Sequence, residues 1–78
     1  MDAKTARDTI IKPKLIATFG ANLAGMLLIK AINAGMSGSS ETDKLRLGVE
    51  SICSDPKVIA LWGAAQAAKQ KDEWCRLV

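Results

Sequence analysis

The longest uncharged stretch of the chain lies between Lys14 and Lys30. Its apolar residues recur every three or four positions, which is the spacing of one helical face. The positions on that face are Leu15, Phe19, Leu23 and Met26. Other apolar residues flank this face on both sides. The pattern therefore predicts a central, mostly apolar helix over about residues 14–34 that is buried on most sides.

A second long helix is predicted over about residues 55–76. Asp55 can cap its first turn, and Pro56 can occupy the first helical position, where the missing N–H of proline is harmless. A shorter helix is expected over residues 2–12. Pro13 is expected to end or kink it, or equally to be the first residue of the next helix.

The segment 42–54 is ambiguous between helix and strand. Leu45, Leu47 and Val49 alternate as in a strand, whereas Ser40 with Asp43 three residues later resembles a helix cap. A lone strand would have no partner, so a helix is favoured. We find no internal repeat. The fold class predicted is all-α: a small bundle of three to four helices in a single domain, 1–78.

Small residues form two stripes at helical spacing in the two long helices. One comprises Ala17, Ala21 and Gly25, and the other comprises Ala60, Ala64 and Ala68, with Trp62 beside it. Such stripes allow two backbones to approach closely. These seven residues are the predicted helix seam. The seam either joins two copies of the chain or joins the two helices within one chain.

Composition limits the functional classes. A chain of 78 residues buries only about 60% of its unfolded surface, so oligomers or partners often support such small proteins. Its hydrophobic fraction of 49% disfavours disorder, and the net charge of +3 is mild. The two cysteines have no paired spacing, and no secretory signal precedes them, so we expect free thiols and a cytoplasmic location.

No pattern of catalytic, metal-binding or cofactor-binding residues is present. The chain has no histidine, and its acidic residues fall at helix caps and on polar faces, so we expect no enzyme activity, cofactor, metal or small-molecule substrate. The predicted function is a non-enzymatic helical module acting by self-association or by binding another protein. The alternative is a small membrane-anchored subunit held by residues 15–34. The third possibility is an accessory DNA-binding protein, although nucleic acid is an unlikely partner because no aromatics accompany the basic residues.

Overall fold

The computed structural model describes all 78 residues and contains helices without any strand, which confirms the all-α prediction. The first helical stretch runs unbroken through α1 (Ala3–Ala6), a π-helical turn (Arg7–Ile11) and α2 (Lys12–Phe19). It is followed by α3 (Ala21–Gly35), α4 (Glu41–Cys53), α5 (Pro56–Trp62) and α6 (Ala64–Cys75). The bundle thus has five helical stretches, more than the three to four expected.

Three helices begin at side-chain caps. The side chain of Ser40 accepts a hydrogen bond from the Asp43 N–H, and that of Asp55 accepts one from the Lys57 N–H. The helix predicted over 42–54 is therefore present as α4, and the predicted start at Asp55 and Pro56 is correct. The first helix is capped by Asp2, whose Oδ1 lies 2.6 Å from the Thr5 nitrogen.

Pro13 does not end the helical stretch, and it lies in the first turn of α2, close to the alternative expectation that it begins the next helix. It occupies an early position of α2, directly after the π-helical turn. In a regular helix a proline ring clashes with the carbonyl four residues earlier, here that of Thr9. Thr9 lies within the π-helical turn, and the wider turn gives the ring room.

Two glycines divide both of the long helices that were predicted. Gly20 (φ 86°, ψ 162°) separates α2 from α3, and Gly63 (φ 84°, ψ 155°) separates α5 from α6. Only glycine adopts this backbone region readily. The predictions of continuous helices over 14–34 and 55–76 were therefore wrong, because these glycines turn the chain instead of serving a close helix contact.

α3 and α4 form the most extensive helix pair of the fold. A Cβ atom placed on Gly48 would lie 3.1 Å from the Ala31 carbonyl oxygen, and one on Gly35 would lie 2.9 Å from the Lys44 carbonyl oxygen. A Cβ on Gly25 would meet no atom within 4 Å. The close approach of backbones therefore occurs at Gly35 and Gly48. α3 is buried on this side only, not on most sides as expected.

One hydrophobic cluster links the helices, and it includes residues from the first helical stretch as well as α3 to α6. Its aromatic edge is formed by Trp74, which is buried, and by the partly buried Trp62 and Phe19. The Trp62 ring centroid lies 5.4 Å from that of Phe19 and 6.0 Å from that of Trp74. Outside the cluster, Lys30 Nζ donates a hydrogen bond to Asp55 Oδ2 at 2.6 Å and so ties α3 to the start of α5.

The α5–α6 segment repeats the α2–α3 segment at an offset of 43 residues, although no repeat was expected. Residues 13–24 and 56–67 share proline, lysine, isoleucine, alanine, glycine, alanine and alanine at equivalent positions. Both segments form a helix, a positive-φ glycine and a second helix. Burial follows the same offset. The buried pairs are Leu15 with Val58, Ala24 with Ala67, Leu27 with Gln70, and Ala31 with Trp74.

We predict that Gly48→Val lowers the free energy of unfolding by about 1–3 kcal/mol, because the added methyl groups would overpack against the Ala31 backbone. The matched variant Gly25→Val adds the same side chain where space is open, so its effect should stay within about 0.5 kcal/mol. Urea denaturation followed by circular dichroism measures both. Equal effects at the two positions would contradict a close contact at Gly48.

At Gly63 we predict that the effect of alanine on stability depends on whether it is the L- or the D-residue. Gly63→Ala should lower the unfolding free energy by about 1–3 kcal/mol, because an L-residue is strained at this positive φ. A synthetic chain with D-alanine at position 63 should keep or exceed the original stability, since the conformation is the mirror image of an ordinary extended one. Thermal denaturation of the two synthetic chains provides the comparison. A similar loss in both chains would argue against backbone strain as the cause.

Candidate functional site

The outward side of α3 carries a row of large apolar side chains. Met26, Ile29, Ile32 and Met36 are 55%, 61%, 43% and 76% exposed, respectively. They follow one another at helical spacing, whereas the residues that α3 buries are mainly the smaller ones. We call these four residues the α3 face. Over ten residues the α3 face extends for about 15 Å.

The internal repeat allows two of these positions to be compared with their equivalents in α6. α6 is the structural equivalent of α3, and its residues equivalent to Met26 and Ile29 are Lys69 and Asp72. All four are exposed. At these two positions the repeat therefore tolerates charge, whereas Ile32 corresponds to the partly buried Cys75 and Met36 has no counterpart at this offset.

A groove of about 380 Å³ adjoins the C-terminal end of the α3 face, between α1, α3 and α4. Ile32 and Met36 line it together with three cations, which we call the basic rim: Lys4, Arg7 and Lys44. Glu41 is the one acidic residue of the groove.

Partners within the chain already engage Glu41, since its Oε1 accepts a hydrogen bond from the Ala3 N–H at 3.2 Å and its Oε2 lies 3.5 Å from Lys44 Nζ. Arg7 has Asp8 at 3.9 Å, and no carboxylate lies within 4 Å of Lys4. Two cations of the basic rim thus each have one carboxylate within 4 Å, and Lys4 has none, beside exposed apolar side chains.

A second groove, of about 480 Å³, lies between α4, α5 and α6. Ala64, Ala68 and Cys53 line it, and Lys71 and Glu50 at its edge are 3.6 Å apart. This groove pairs its charges internally. Its lining offers no excess charge that would select a ligand.

The residues of the predicted seam lie apart from one another. Ala17, Ala21, Ala60, Ala64 and Ala68 are exposed, and Gly25 and Trp62 are partly buried. The breaks at Gly20 and Gly63 place the members of each stripe on different helices. The helices that carry one stripe make no extensive contact with those that carry the other, and the seam itself stays a prediction.

Trp62 and Trp74 do share a surface, although their spacing on one continuous helix predicts that they do not. The break at Gly63 places them on different helices, and their rings meet edge to face. The exposure of the α3 face was not predicted, because the helix over residues 14–34 was expected to be buried on most sides. The helical spacing of the small residues Ala24, Ala31 and Gly35 was the available sign that the opposite side of this helix packs inward.

The titratable groups offer little reactivity. Desolvation raises the pKa of Cys53 to about 11, and it also raises the pKa of Cys75. Both thiols are free and stay protonated at neutral pH. The hydrogen bond from Lys30 lowers the pKa of Asp55, and the hydrogen bond with Thr5 lowers that of Asp2. The structure contains no group of three or more Cys, Asp or Glu residues that could hold a metal ion.

Comparison of the chain with protein-family models, with curated proteins and with solved structures finds no match in any of the three. None of the helices has the length and apolar character needed to cross a membrane.

Proposed function

We propose that this chain is a small non-enzymatic helical module that acts by protein–protein binding, and that the α3 face is its contact surface. The single observation that carries the proposal is the contrast between α3 and α6. Equivalent exposed positions hold Met26 and Ile29 in one helix and Lys69 and Asp72 in the other. A contiguous row of exposed apolar side chains is typical of an interaction site.

The chemistry of the α3 face suits a protein partner. Methionine side chains are flexible and polarisable, and they adapt to the shape of an opposing surface. The α3 face contains two of them, Met26 and Met36, with Ile29 and Ile32 between them. No charged residue belongs to the row, so its burial requires no desolvation of an ion.

The energetic gain from the α3 face alone is small. Full burial of one such side chain contributes about 1.5–3 kcal/mol, so covering the exposed half of each residue contributes about 1 kcal/mol. Four residues together correspond to a Kd of about 1 mM before the loss of translational freedom on association. Effective binding therefore requires further contacts beside the α3 face.

The structure gives no support to the DNA-binding alternative. The cations of the basic rim border exposed Ile32 and Met36 instead of forming an open basic surface. Such a surface would be needed to follow a phosphate backbone. We retain protein binding as the function best supported by the geometry.

Photo-methionine, a diazirine analogue of methionine with a side chain of similar size, tests the proposal with a small change at two of the contact residues. Metabolic incorporation places it at Met26 and Met36 of the α3 face and also at Met1. Irradiation of cells that make the protein should yield discrete crosslinked protein species from positions 26 and 36, identified by mass spectrometry. A species of twice the 8.3 kDa chain mass would identify self-association as the form of binding.

The matched variants keep both crosslinking positions. Ile29→Asp introduces the residue found at the equivalent position of α6, so it should preserve helicity and remove most of the crosslinked species. Leu61→Thr changes a similarly exposed apolar residue, 58% against 61%, to the residue at its own equivalent position, and it should leave the species unchanged. Protein crosslinks from positions 26 and 36 that persist equally in both variants would refute the proposal, as would their absence.

A further inference from the structure

We infer that the partner segment bound by the α3 face is an amphipathic α-helix with acidic residues along the flank that meets the basic rim. The inference rests on the proposed function and specifies the chemistry of its partner. Two features support it: the row of apolar side chains and the three cations at one end of that row. These features share Ile32 and Met36, which line the groove and also belong to the α3 face.

The shape of the surface favours a helix over other peptide conformations. An extended peptide binds most readily by adding a strand to a sheet edge, and this protein has no strand. Polyproline segments dock on aromatic-lined grooves. Here the three aromatic residues cluster with one another, and none of them lines the groove. A helix laid along α3 would present three turns to the 15 Å row.

The charges of the groove select the acidic flank. Lys4, Arg7 and Lys44 outnumber Glu41, whose carboxylate is already engaged by the Ala3 N–H and Lys44. Carboxylates of a bound helix would give Lys4 a partner and would add to the single carboxylates beside Arg7 and Lys44. Complementary charge of this kind fixes orientation and excludes partners of the wrong sign.

A second copy of the chain is a poor occupant of this site. No acidic residue occurs in α3, from Ala21 to Gly35. In an antiparallel pair of α3 helices, each basic rim would meet the N-terminal end of the other α3, where the helix dipole is positive. In a parallel pair the two basic rims would face each other.

An anionic bilayer also fits this site less well. Its surface is planar, whereas the cations and two of the apolar side chains line a groove, so a bilayer would not contact all of them. The apolar row and its groove instead match the helix-in-groove mode of recognition.

The experiment selects binders from a displayed library of random 16-residue helical peptides with the intact protein as target. Enriched sequences should carry apolar residues at helical spacing and an excess of Asp and Glu on one flank. A target with Lys4→Glu, Arg7→Glu and Lys44→Glu should enrich the same apolar spacing with an excess of Lys and Arg instead. Circular dichroism establishes that each target is folded.

Neutral variants keep the test independent of any effect of charge reversal on folding. A selected acidic peptide should bind about tenfold more weakly to the Lys4→Gln, Arg7→Gln, Lys44→Gln protein. The control with Lys57→Gln, Lys69→Gln and Arg76→Gln removes the same charge from exposed positions outside the groove, and its affinity should stay within about twofold. Equal weakening in both triple variants would refute a specific role of the basic rim.

The outcomes separate failure of this inference from failure of the proposed function. Enrichment of apolar spacing without acidic bias would overturn the acidic-helix inference and leave the α3 face as a binding surface. Identical enrichment on the Ile29→Asp target would show that the peptides do not bind the α3 face, and it would refute the proposed function. Crosslinked dimers whose yield does not fall when acidic peptide is added to the protein before irradiation would identify a second copy as the occupant. Sedimentation with phosphatidylcholine–phosphatidylserine vesicles that Ile29→Asp abolishes would identify a membrane. Either of these last two results would overturn the inference.

Discussion

The close approach of α3 and α4 is the constraint from which most of the structure follows. The backbones come so near at Gly48 and Gly35 that a single Cβ atom would crowd a carbonyl oxygen of the facing helix. Only small side chains fit along this contact, so Ala31 and Gly35 face inward. α3 buries Leu27 together with these small residues, and its large apolar residues Met26, Ile29 and Ile32 lie on the outer side. The α3 face is thus exposed because the opposite side of α3 packs closely against α4.

The two positive-φ glycines determine where the helices that contact α4 begin. Gly20 and Gly63 each end one helix and start another, which allows α3 and α6 to pack on α4 while α2 and α5 leave in other directions. Phe19 and Trp62, which precede the glycines, occupy equivalent positions in the repeat and contact each other. The repeat is therefore visible in the aromatic core as well as in the backbone and in the pattern of burial.

Local signals in the sequence predicted the helix starts and the helical class well, because they depend on a few neighbouring atoms. Ser40 and Asp55 cap their helices as expected, since a side-chain oxygen needs only the amide two or three residues later. The breaks at Gly20 and Gly63 were missed because an isolated glycine within an apolar pattern suits close packing as well as a turn. The similarity of the two glycine contexts, Phe-Gly-Ala and Trp-Gly-Ala, was the available signal.

The candidate site was harder to predict, because it depends on which side of a helix faces the core. The α3 segment is apolar almost all round, apart from Asn22, Lys30 and Asn33, so periodicity alone does not separate its buried side from its exposed side. The basic rim was equally hidden, since Lys44 lies 37 residues beyond Arg7 and joins it only when α4 packs beside the first helix.

Small size links this surface to stability. Only 18 of 78 residues are buried, so the chain alone covers little of its apolar area. A partner that binds only the folded chain shifts the folding equilibrium toward the native state by mass action. A bulky apolar row on the outside of α3 therefore suits a protein whose most stable form includes a bound partner. In α6 the charged Lys69 and Asp72 occupy the positions equivalent to Met26 and Ile29, so a helix of this fold can also expose charge there.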